Sequence, residues 1–251
     1  MIKLFHAPAM TILFSTVVFL TAPTPLKAES VTEIYGGVGF TQKHNAMVTL
    51  PNAGITGTHE SLKFNSAIAV GGRVMYWNAS HPFLGFGLDA SHFSGPDQPQ
   101  QSAITELCVQ NSGCSTSPEN IEKFNNNVTV IGLDAMLRYP LFKSEQFKKG
   151  QLQPYLTVGP AVFISTMKDT GNFIPPKQSS GYTSVGVKAG AGVNLFFNQN
   201  LGAFLEYRDT SFQVKDTFQN DRVVHTIKLG KTLGTAHFNI QTVVLGVAFS
   251  F

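Results

Sequence analysis

Serine, histidine and carboxylate side chains could together support hydrolysis, and two stretches of the sequence bring such residues close. Ser91 and His92 are adjacent, whereas the stretch with Glu206 and Ser211 has no histidine before His225. A serine nucleophile needs a base within hydrogen-bond reach. The sequence has no Gly-x-Ser-x-Gly elbow, His-Glu-x-x-His helix or phosphate-binding loop. We therefore interpret these side chains as polar residues at strand ends and predict that the protein is not an enzyme.

The two cysteines and the scattered histidines are the remaining candidates for redox or metal chemistry. Cys108 and Cys114 lie in a polar stretch that contains no histidine. In an exported protein such a pair closes a small loop as a disulfide. The other histidines are spread along the chain, so the sequence predicts no metal site and no cofactor.

The N-terminal segment has the features of an export signal. Lys3 precedes an apolar run from Thr11 to Leu20, and Ala28 provides a small residue for cleavage. The run is shorter than the roughly 20 residues that span a membrane as a helix, which argues against a signal anchor. We predict a Sec-type signal peptide over residues 1–28 and a single mature domain over residues 29–251.

The composition of the chain combines few charges with many glycines and phenylalanines. Charged residues make up 13% of the chain, with 23 glycines, 21 phenylalanines and a mean hydropathy of +0.05. Without Lys3 and Lys27, the 18 cationic residues fall to 16 against 15 acidic ones. A nearly neutral chain lacks the basic face that nucleic acid requires. The composition fits glycine-rich strands with an aromatic outer face.

The last nine residues alternate with a period of two. Val243, Leu245, Val247, Phe249 and Phe251 fall on one face of a strand, because successive side chains point to opposite sides. In a soluble sheet this apolar face would be an exposed liability unless it lay in the core. In a bilayer it would contact lipid, with the phenylalanines in an aromatic girdle.

Eight segments of the mature chain show this alternation, and the connections between them alternate in length. Short connections follow the second, fourth and sixth strands, and long ones follow the first, third, fifth and seventh, as in barrels with short periplasmic turns and long outer loops. Pro160 falls inside the fifth strand and predicts a bulge or a local gap in pairing. The predicted strands are 32–40, 62–76, 83–92, 128–139, 153–165, 184–197, 201–208 and 238–251.

An even number of antiparallel strands can close into a barrel without free edges. A soluble eight-stranded barrel such as a lipocalin is the alternative, with its apolar face inside. The export signal and the aromatic residues at strand ends favour the membrane version. Those aromatic residues are Phe40, Tyr76, Tyr139, Phe197, Tyr207 and Phe251.

The strand face opposite the lipid collects charges of both signs. A shift of one residue in the strand register would place these charges in lipid. Each Arg or Lys near the midplane would then destabilise the barrel by about 2–4 kcal/mol. Eight strands leave an interior that side chains can fill, and buried charges must pair. We predict a salt-bridged lumen rather than an open pore. The predicted interior charges are Glu33, Lys63, Arg73, Asp89, Asp134, Arg138, Lys188, Glu206 and Arg208.

The terminal strand, the glycine-rich stretch from Tyr182 to Phe197 and the Glu206-Tyr207-Arg208 segment resemble the OmpA/OmpX-like small outer-membrane barrels and porin-family surface antigens. The resemblance implies an all-β, eight-stranded antiparallel up-and-down transmembrane β-barrel in the bacterial outer membrane. It also implies that Val247, Phe249 and Phe251 form a C-terminal signal for the barrel-assembly machinery.

Such barrels serve several functions, so the fold alone does not define one. We expect a non-enzymatic monomer that displays four outer loops for envelope integrity or adhesion. Its expected partners are outer-membrane lipid, lipopolysaccharide and host surface ligands. The alternatives are a narrow porin-like channel and a lipid A-modifying hydrolase, although the His-Ser pair of lipid A deacylases has no match in the late strand around Glu206.

Overall fold

The computed structural model describes residues 29–41, 44–50, 54–62, 66–78, 80–94, 103–110, 112–119, 124–169, 179–224 and 227–251. Among these residues, no helix is long and apolar enough to cross a membrane. The predicted signal peptide and Lys63 lie outside the described residues. The strands are β1 (Glu29–Thr41), β2 (His44–Leu50), β3 (Ile55–Leu62), β4 (Ala67–Trp77), β5 (Leu84–Ser94), β6 (Ala103–Val109), β7 (Gly113–Glu119), β8 (Phe124–Arg138), β9 (Leu152–Asp169), β10 (Ser179–Phe196), β11 (Leu201–Val224) and β12 (Ile227–Ser250).

Eight of these strands form a closed antiparallel barrel, which confirms the predicted fold. The order around the barrel is β1-β4-β5-β8-β9-β10-β11-β12, and β12 pairs back with β1. The closing register runs from Val31 opposite Ser250 to Thr41 opposite Ile240. Both ends of the chain's barrel domain therefore meet at one rim, which we call the turn end.

The alternation of side chains sorts the barrel wall into an apolar outside and a mixed inside. Outward residues such as Val185 and Leu245 are exposed by 71% and 64%, whereas the inward Arg73 and Glu206 are at most 1% exposed. A soluble barrel would reverse this arrangement. The charges inside and the apolar side chains outside are the pattern of a barrel that faces lipid.

Close packing between neighbouring strands explains why several positions of the barrel wall are glycine. A Cβ at Gly71 would lie 2.6 Å from the ring of Tyr35, and one at Gly85 would lie 2.7 Å from that of Trp77. Aromatic side chains that point into the lumen thus lie against glycines of the next strand. A bulkier residue at either glycine would displace the ring or the strand.

Pro160 interrupts the ladder between β8 and β9. The pairing runs through Gly132 opposite Ala161 and resumes at Ala135 opposite Val158, with the same register on both sides. On the other side, Pro160 pairs with Val187 without a shift. The predicted local gap is confirmed, and it occurs without a bulge.

Two of the connections at the turn end are short, and each is closed by an asparagine side chain. The Asn198 side-chain oxygen accepts hydrogen bonds from the backbone N–H groups of Asn200 and Leu201, at 2.9 and 2.8 Å. The Asn78 side-chain oxygen accepts one from the N–H of Ser80 at 2.9 Å. Such side chains mimic a backbone turn, which accounts for the brevity of these connections.

The opposite rim, the loop end, carries a second sheet that the sequence reasoning described as loops. β11 and β12 continue beyond the barrel, and Leu233–Ala236 of β12 pairs with Ala46–Thr49 of β2. The sheet then continues through β3 and β6 to β7. We call these outer parts of β11 and β12, together with β2, β3, β6 and β7, the outer sheet.

The outer sheet corrects the predicted start of the second barrel strand. Leu62 was predicted to begin a barrel strand, but it ends β3 of the outer sheet, and the barrel strand begins at Ala67. The long connections after β1 and β5 each contain a hairpin rather than irregular loop. The last two strands also continue beyond the predicted limits at Arg208 and Phe238, since β11 reaches Val224 and β12 begins at Ile227.

Candidate functional site: the barrel lumen and the outer sheet

Arg73 occupies the centre of the lumen. β4 positions its side chain inward, where the guanidinium lies 2.5 Å from Glu33 and 2.9 Å from Glu206. A second nitrogen lies 3.8 Å from Asp134. The guanidinium also faces the Tyr155 ring, 5.5 Å from its centroid. One cation thus joins carboxylates from three different strands.

Arg208 forms the second centre of the network. Its guanidinium donates to Glu206 at 2.7 Å and to the Tyr35 hydroxyl at 2.8 Å, and it lies 3.4 Å from Asp89. The Tyr35 hydroxyl in turn donates to Asp89 at 2.8 Å. Glu206 therefore pairs with both Arg73 and Arg208, and it also accepts a hydrogen bond from the Tyr155 hydroxyl at 2.8 Å.

Lys188 completes the network by bridging two aspartates. Its ammonium lies 2.9 Å from both Asp89 and Asp134. These three residues come from β10, β5 and β8, so the contact spans the barrel interior. All of them are at most 2% exposed.

A smaller group of charges closes the turn end of the lumen. Arg138 lies 2.5 Å from Glu29, donates to Gln153 at 3.1 Å and covers the Trp77 ring at 3.9 Å. Lys149 from the adjacent turn also reaches Glu29, at 3.2 Å. Glu29 is not among the predicted interior charges, although it shares the odd-numbered, inward face of the first strand with Glu33.

An apolar cluster fills the lumen between the charges and the loop end. The rings of Phe163 and Phe212 stack with centroids 4.2 Å apart, and Phe212 stacks on Phe238 at 5.2 Å. Phe93 and Val130 belong to the same buried cluster. This layer was not predicted, because Phe212 and Phe238 lie at or beyond the edges of the segments that alternate in the sequence.

The two layers together leave no water path past the central charges among the described residues. The side chains of Arg73, Lys188, Glu206 and Arg208 are 0 to 1% accessible. A water-filled channel would expose the side chains that line it. The charged interior is therefore packed, and its charges pair with each other instead of with ions in solution.

The serine and histidine that could form a hydrolytic pair lie on opposite faces of β5. Ser91 is buried in the lumen, whereas His92 points outward and contacts the Thr129 hydroxyl at 3.0 Å. Ser211 also points outward. His237 lies two pairs from Ser211 across the hairpin and contacts Gln213 at 2.9 Å. His225 lies outside the described residues.

Cys108 and Cys114 form the predicted disulfide, which joins β6 to β7. Glu106 lies near both sulfur atoms. Because the sulfurs are bonded to each other, neither is a thiolate that could bind a metal ion. The disulfide instead fixes the outermost hairpin of the outer sheet.

The structure places eight of the nine predicted interior charges inside the barrel, and Lys63 lies outside the described residues. The three residues of the predicted C-terminal signal, Val247, Phe249 and Phe251, point outward from the turn end of β12 and are exposed.

A closed barrel with an apolar outer wall and paired charges inside defines a transmembrane β-barrel. Residues 12–251 match the family described as "Outer membrane protein beta-barrel domain". The chain belongs to this family, which places it in the outer membrane. No curated protein matches the chain.

Solved structures of other outer-membrane proteins are similar to this chain. Neisserial surface protein A is 14% identical, with 89% of this chain and 99% of that chain covered and a TM-score of 0.46. OprG from Pseudomonas aeruginosa is 13% identical, with coverages of 88% and 96% and a TM-score of 0.48. Ail of Yersinia pestis, crystallised with the heparin analogue sucrose octasulfate, is 10% identical, with coverages of 89% and 98% and a TM-score of 0.42.

Proposed function

We propose that this protein is a non-enzymatic, non-conducting barrel that anchors a folded binding surface outside the outer membrane. The observation that carries the proposal is the outer sheet. The hairpin after β1 is hydrogen-bonded through β2 onto the extension of β12, and the hairpin after β5 is hydrogen-bonded through β6 onto β3. The surface is therefore a continuous sheet that is covalently and structurally part of the barrel wall.

The packed lumen supports this proposal over a channel. Conduction of ions requires a wet path, and the central charges are instead inaccessible and paired. A rigid, filled barrel is well suited to hold an outer sheet at a fixed angle. Rigid presentation reduces the conformational entropy that a binding surface loses when it engages a partner.

The disulfide supports the same proposal. β7 is the strand of the outer sheet farthest from the barrel, and Cys114 ties it to β6. A hairpin that served only as a connection between β5 and β8 would have no need of a covalent link. A hairpin that must keep its shape for a partner would benefit from one.

The proposed partners are ligands on the surface of a host cell or in its surroundings. The test compares two refolded proteins in proteoliposomes, the complete chain and a variant with residues 103–119 replaced by a short Gly-Ser linker. Both should keep the heat-modifiable gel mobility of a folded barrel. The complete protein should bind immobilised matrix proteins or glycosaminoglycans, and the variant should lose that binding. Equal binding by the two would contradict a role for the outer hairpin.

Assembly is a second part of the proposal. The outward face of Val247, Phe249 and Phe251 lies at the turn end of the closing strand, where the barrel-assembly machinery could reach it. This supports their proposed role as the recognition signal for insertion.

A further inference from the structure

The lipid-facing wall of β11 and β12 changes character near the loop end. Below this point, Tyr207 and Val243 point outward and charged or small residues point inward. Above it, Thr210, Phe212 and Ile240 are the buried, inward residues, so the polar side chains now face outward. Strand alternation continues through this region, because the described register shift lies farther out, between Asn220 and Val223. The outward residues are three cross-strand pairs, Asp209 with Gln241, Ser211 with Asn239 and Gln213 with His237, which we call the rim patch.

The height of the rim patch puts it beside lipid headgroups. From Phe251 to Val243 the strand rises about 26 Å at about 3.3 Å per residue, or about 20 Å along the membrane normal at a tilt of about 40°. Gln241 follows about 5 Å higher by the same reckoning. The apolar band of such barrels is about 25 Å tall, so the patch begins where the hydrocarbon ends.

The neighbouring strands stay apolar at the same level. Asp209 pairs with Ala189, and Ser211 pairs with Val187 of β10. On the other side, Gln241 pairs with Phe40 of β1. Val187 and Phe40 are both exposed, by 55% and 51%. The rim patch is therefore flanked by apolar side chains on both neighbouring strands.

The chemistry of the rim patch suits sugar hydroxyls. It contains three side-chain amides, one carboxylate, one hydroxyl and one imidazole, and these groups both donate and accept hydrogen bonds. Gln213 and His237 are already oriented by a contact of 2.9 Å between their side-chain nitrogens. None of the six residues is a lysine or arginine, the side chains that bind phosphate most strongly.

Directly below the patch, the same two strands present an uninterrupted apolar track. Leu205, Tyr207, Val243 and Leu245 all point outward and are exposed. This track is continuous with the lipid-facing surface of the barrel. A ligand that covers both surfaces must have acyl chains below and a polyhydroxylated headgroup above.

We propose that the rim patch binds the saccharide headgroup of a glycolipid in the outer leaflet, with its acyl chains along the track below. This site lies on the barrel wall and does not depend on the proposed role of the outer sheet. The patch, about 10 Å high across two strands, has the size of one or two sugar rings.

Native mass spectrometry of the refolded protein in detergent micelles tests the proposal, with rough lipopolysaccharide and phosphatidylglycerol as probes. The Asn239→Leu/Gln241→Leu variant removes two amides from the patch. The control, Thr183→Leu, changes an exposed outward residue at the same rim on β10. All proteins are first shown to be folded by heat-modifiable gel mobility.

We expect the complete protein to prefer lipopolysaccharide and the double variant to lose about tenfold in affinity for it, since each lost hydrogen bond weakens binding several-fold. Binding of phosphatidylglycerol and the behaviour of Thr183→Leu should not change. Retained affinity in the double variant would overturn the proposal, as would an equal loss for both lipids.

Two further experiments distinguish a saccharide from other possible ligands of the rim patch. Dephosphorylated lipopolysaccharide should bind as well as the parent molecule, and a loss of binding would assign the interaction to phosphate and overturn the saccharide assignment. A Ser211→Cys variant should stay monomeric under oxidation in the absence of lipopolysaccharide. Rapid disulfide-linked dimers would show that the patch contacts a second copy of this chain instead.

Discussion

Replacing Lys188 with methionine should destabilise the barrel strongly, because it removes the cation that joins two buried carboxylates. The ammonium lies 2.9 Å from both Asp89 and Asp134. Asp89 keeps Arg208 at 3.4 Å and the Tyr35 hydroxyl at 2.8 Å. Asp134 is left with a distant contact of 3.8 Å to Arg73, so it is the group stranded without water or a close partner.

Removal of one partner from a buried ion pair costs about 3–5 kcal/mol. Because Asp89 keeps its other partners, we expect Lys188→Met to lower the free energy of unfolding by about 3 kcal/mol, the lower end of this range. The Asp134→Asn/Lys188→Met double variant removes both charges of the pair and should recover about 1–2 kcal/mol of this loss. Val187→Met is the matched control, since the neighbouring side chain points to lipid and its change should stay within about 0.5 kcal/mol.

The assay is equilibrium unfolding by urea or guanidinium in phospholipid vesicles. The single tryptophan of the chain, Trp77, is buried in the lumen, so its fluorescence reports loss of the barrel interior. A Lys188→Met variant as stable as the parent protein would contradict a role for Lys188 in holding the two aspartates. So would a double variant whose loss equals the sum of the two single losses, since the charges would then not be coupled.

Three other changes probe the wall, the outer sheet and assembly. Gly159→Ala should lower the free energy of unfolding by about 3 kcal/mol or more, because a Cβ there would overlap a backbone carbonyl of β8. Gly181→Ala is the control. A Cβ at Gly181 would enter open space, so this variant should be as stable as the parent protein in the same unfolding assay. Replacing Cys108 and Cys114 with serine should lower the stability of the outer hairpin by about 2 kcal/mol. Proteolysis within this hairpin should become faster, while the gel mobility of the folded barrel should not change. Phe251→Ala should lower the amount of protein inserted in the outer membrane of cells but leave refolding in vitro unchanged, and equal insertion would contradict the assembly signal.

The barrel strands could be predicted because lipid imposes a strong pattern on the sequence. Along β4, for example, Val70 and Val74 must face hydrocarbon, and Arg73 must not. A register error would place the arginine in lipid, so the alternation fixes both the strand and the direction of each side chain. The same reasoning identified the central charges from Glu33 to Arg208.

The strand boundaries at the loop end could not be predicted because the pattern inverts there. Beyond Arg208, the inward Phe212 is apolar and the outward Asp209 is polar, which in the sequence looks like the end of a membrane strand. Such a segment continues as a strand only because its partner, around Phe238, inverts at the same level. That correspondence depends on the register of the hairpin and is not a local signal.

The outer sheet gave little signal for a related reason. A sheet outside the membrane has no hydrocarbon on either side, so hydrophobic alternation is weak in β2, β3, β6 and β7. Of the outer sheet, only the disulfide could be predicted from the sequence. Two closely spaced cysteines in an exported chain predict a disulfide whatever strands carry them. The pairing of β2 with β12 joins segments nearly 190 residues apart and has no counterpart in local sequence.

Single-channel recording would show whether the paired charges close the lumen. Refolded protein with verified gel mobility would be inserted into a planar lipid bilayer, and current would be recorded over a range of voltages in concentrated salt. We expect no reproducible conductance steps from the complete protein. Regular steps whose size changed in Lys188→Met would show that the interior charges line a water path, and the protein would then be a channel.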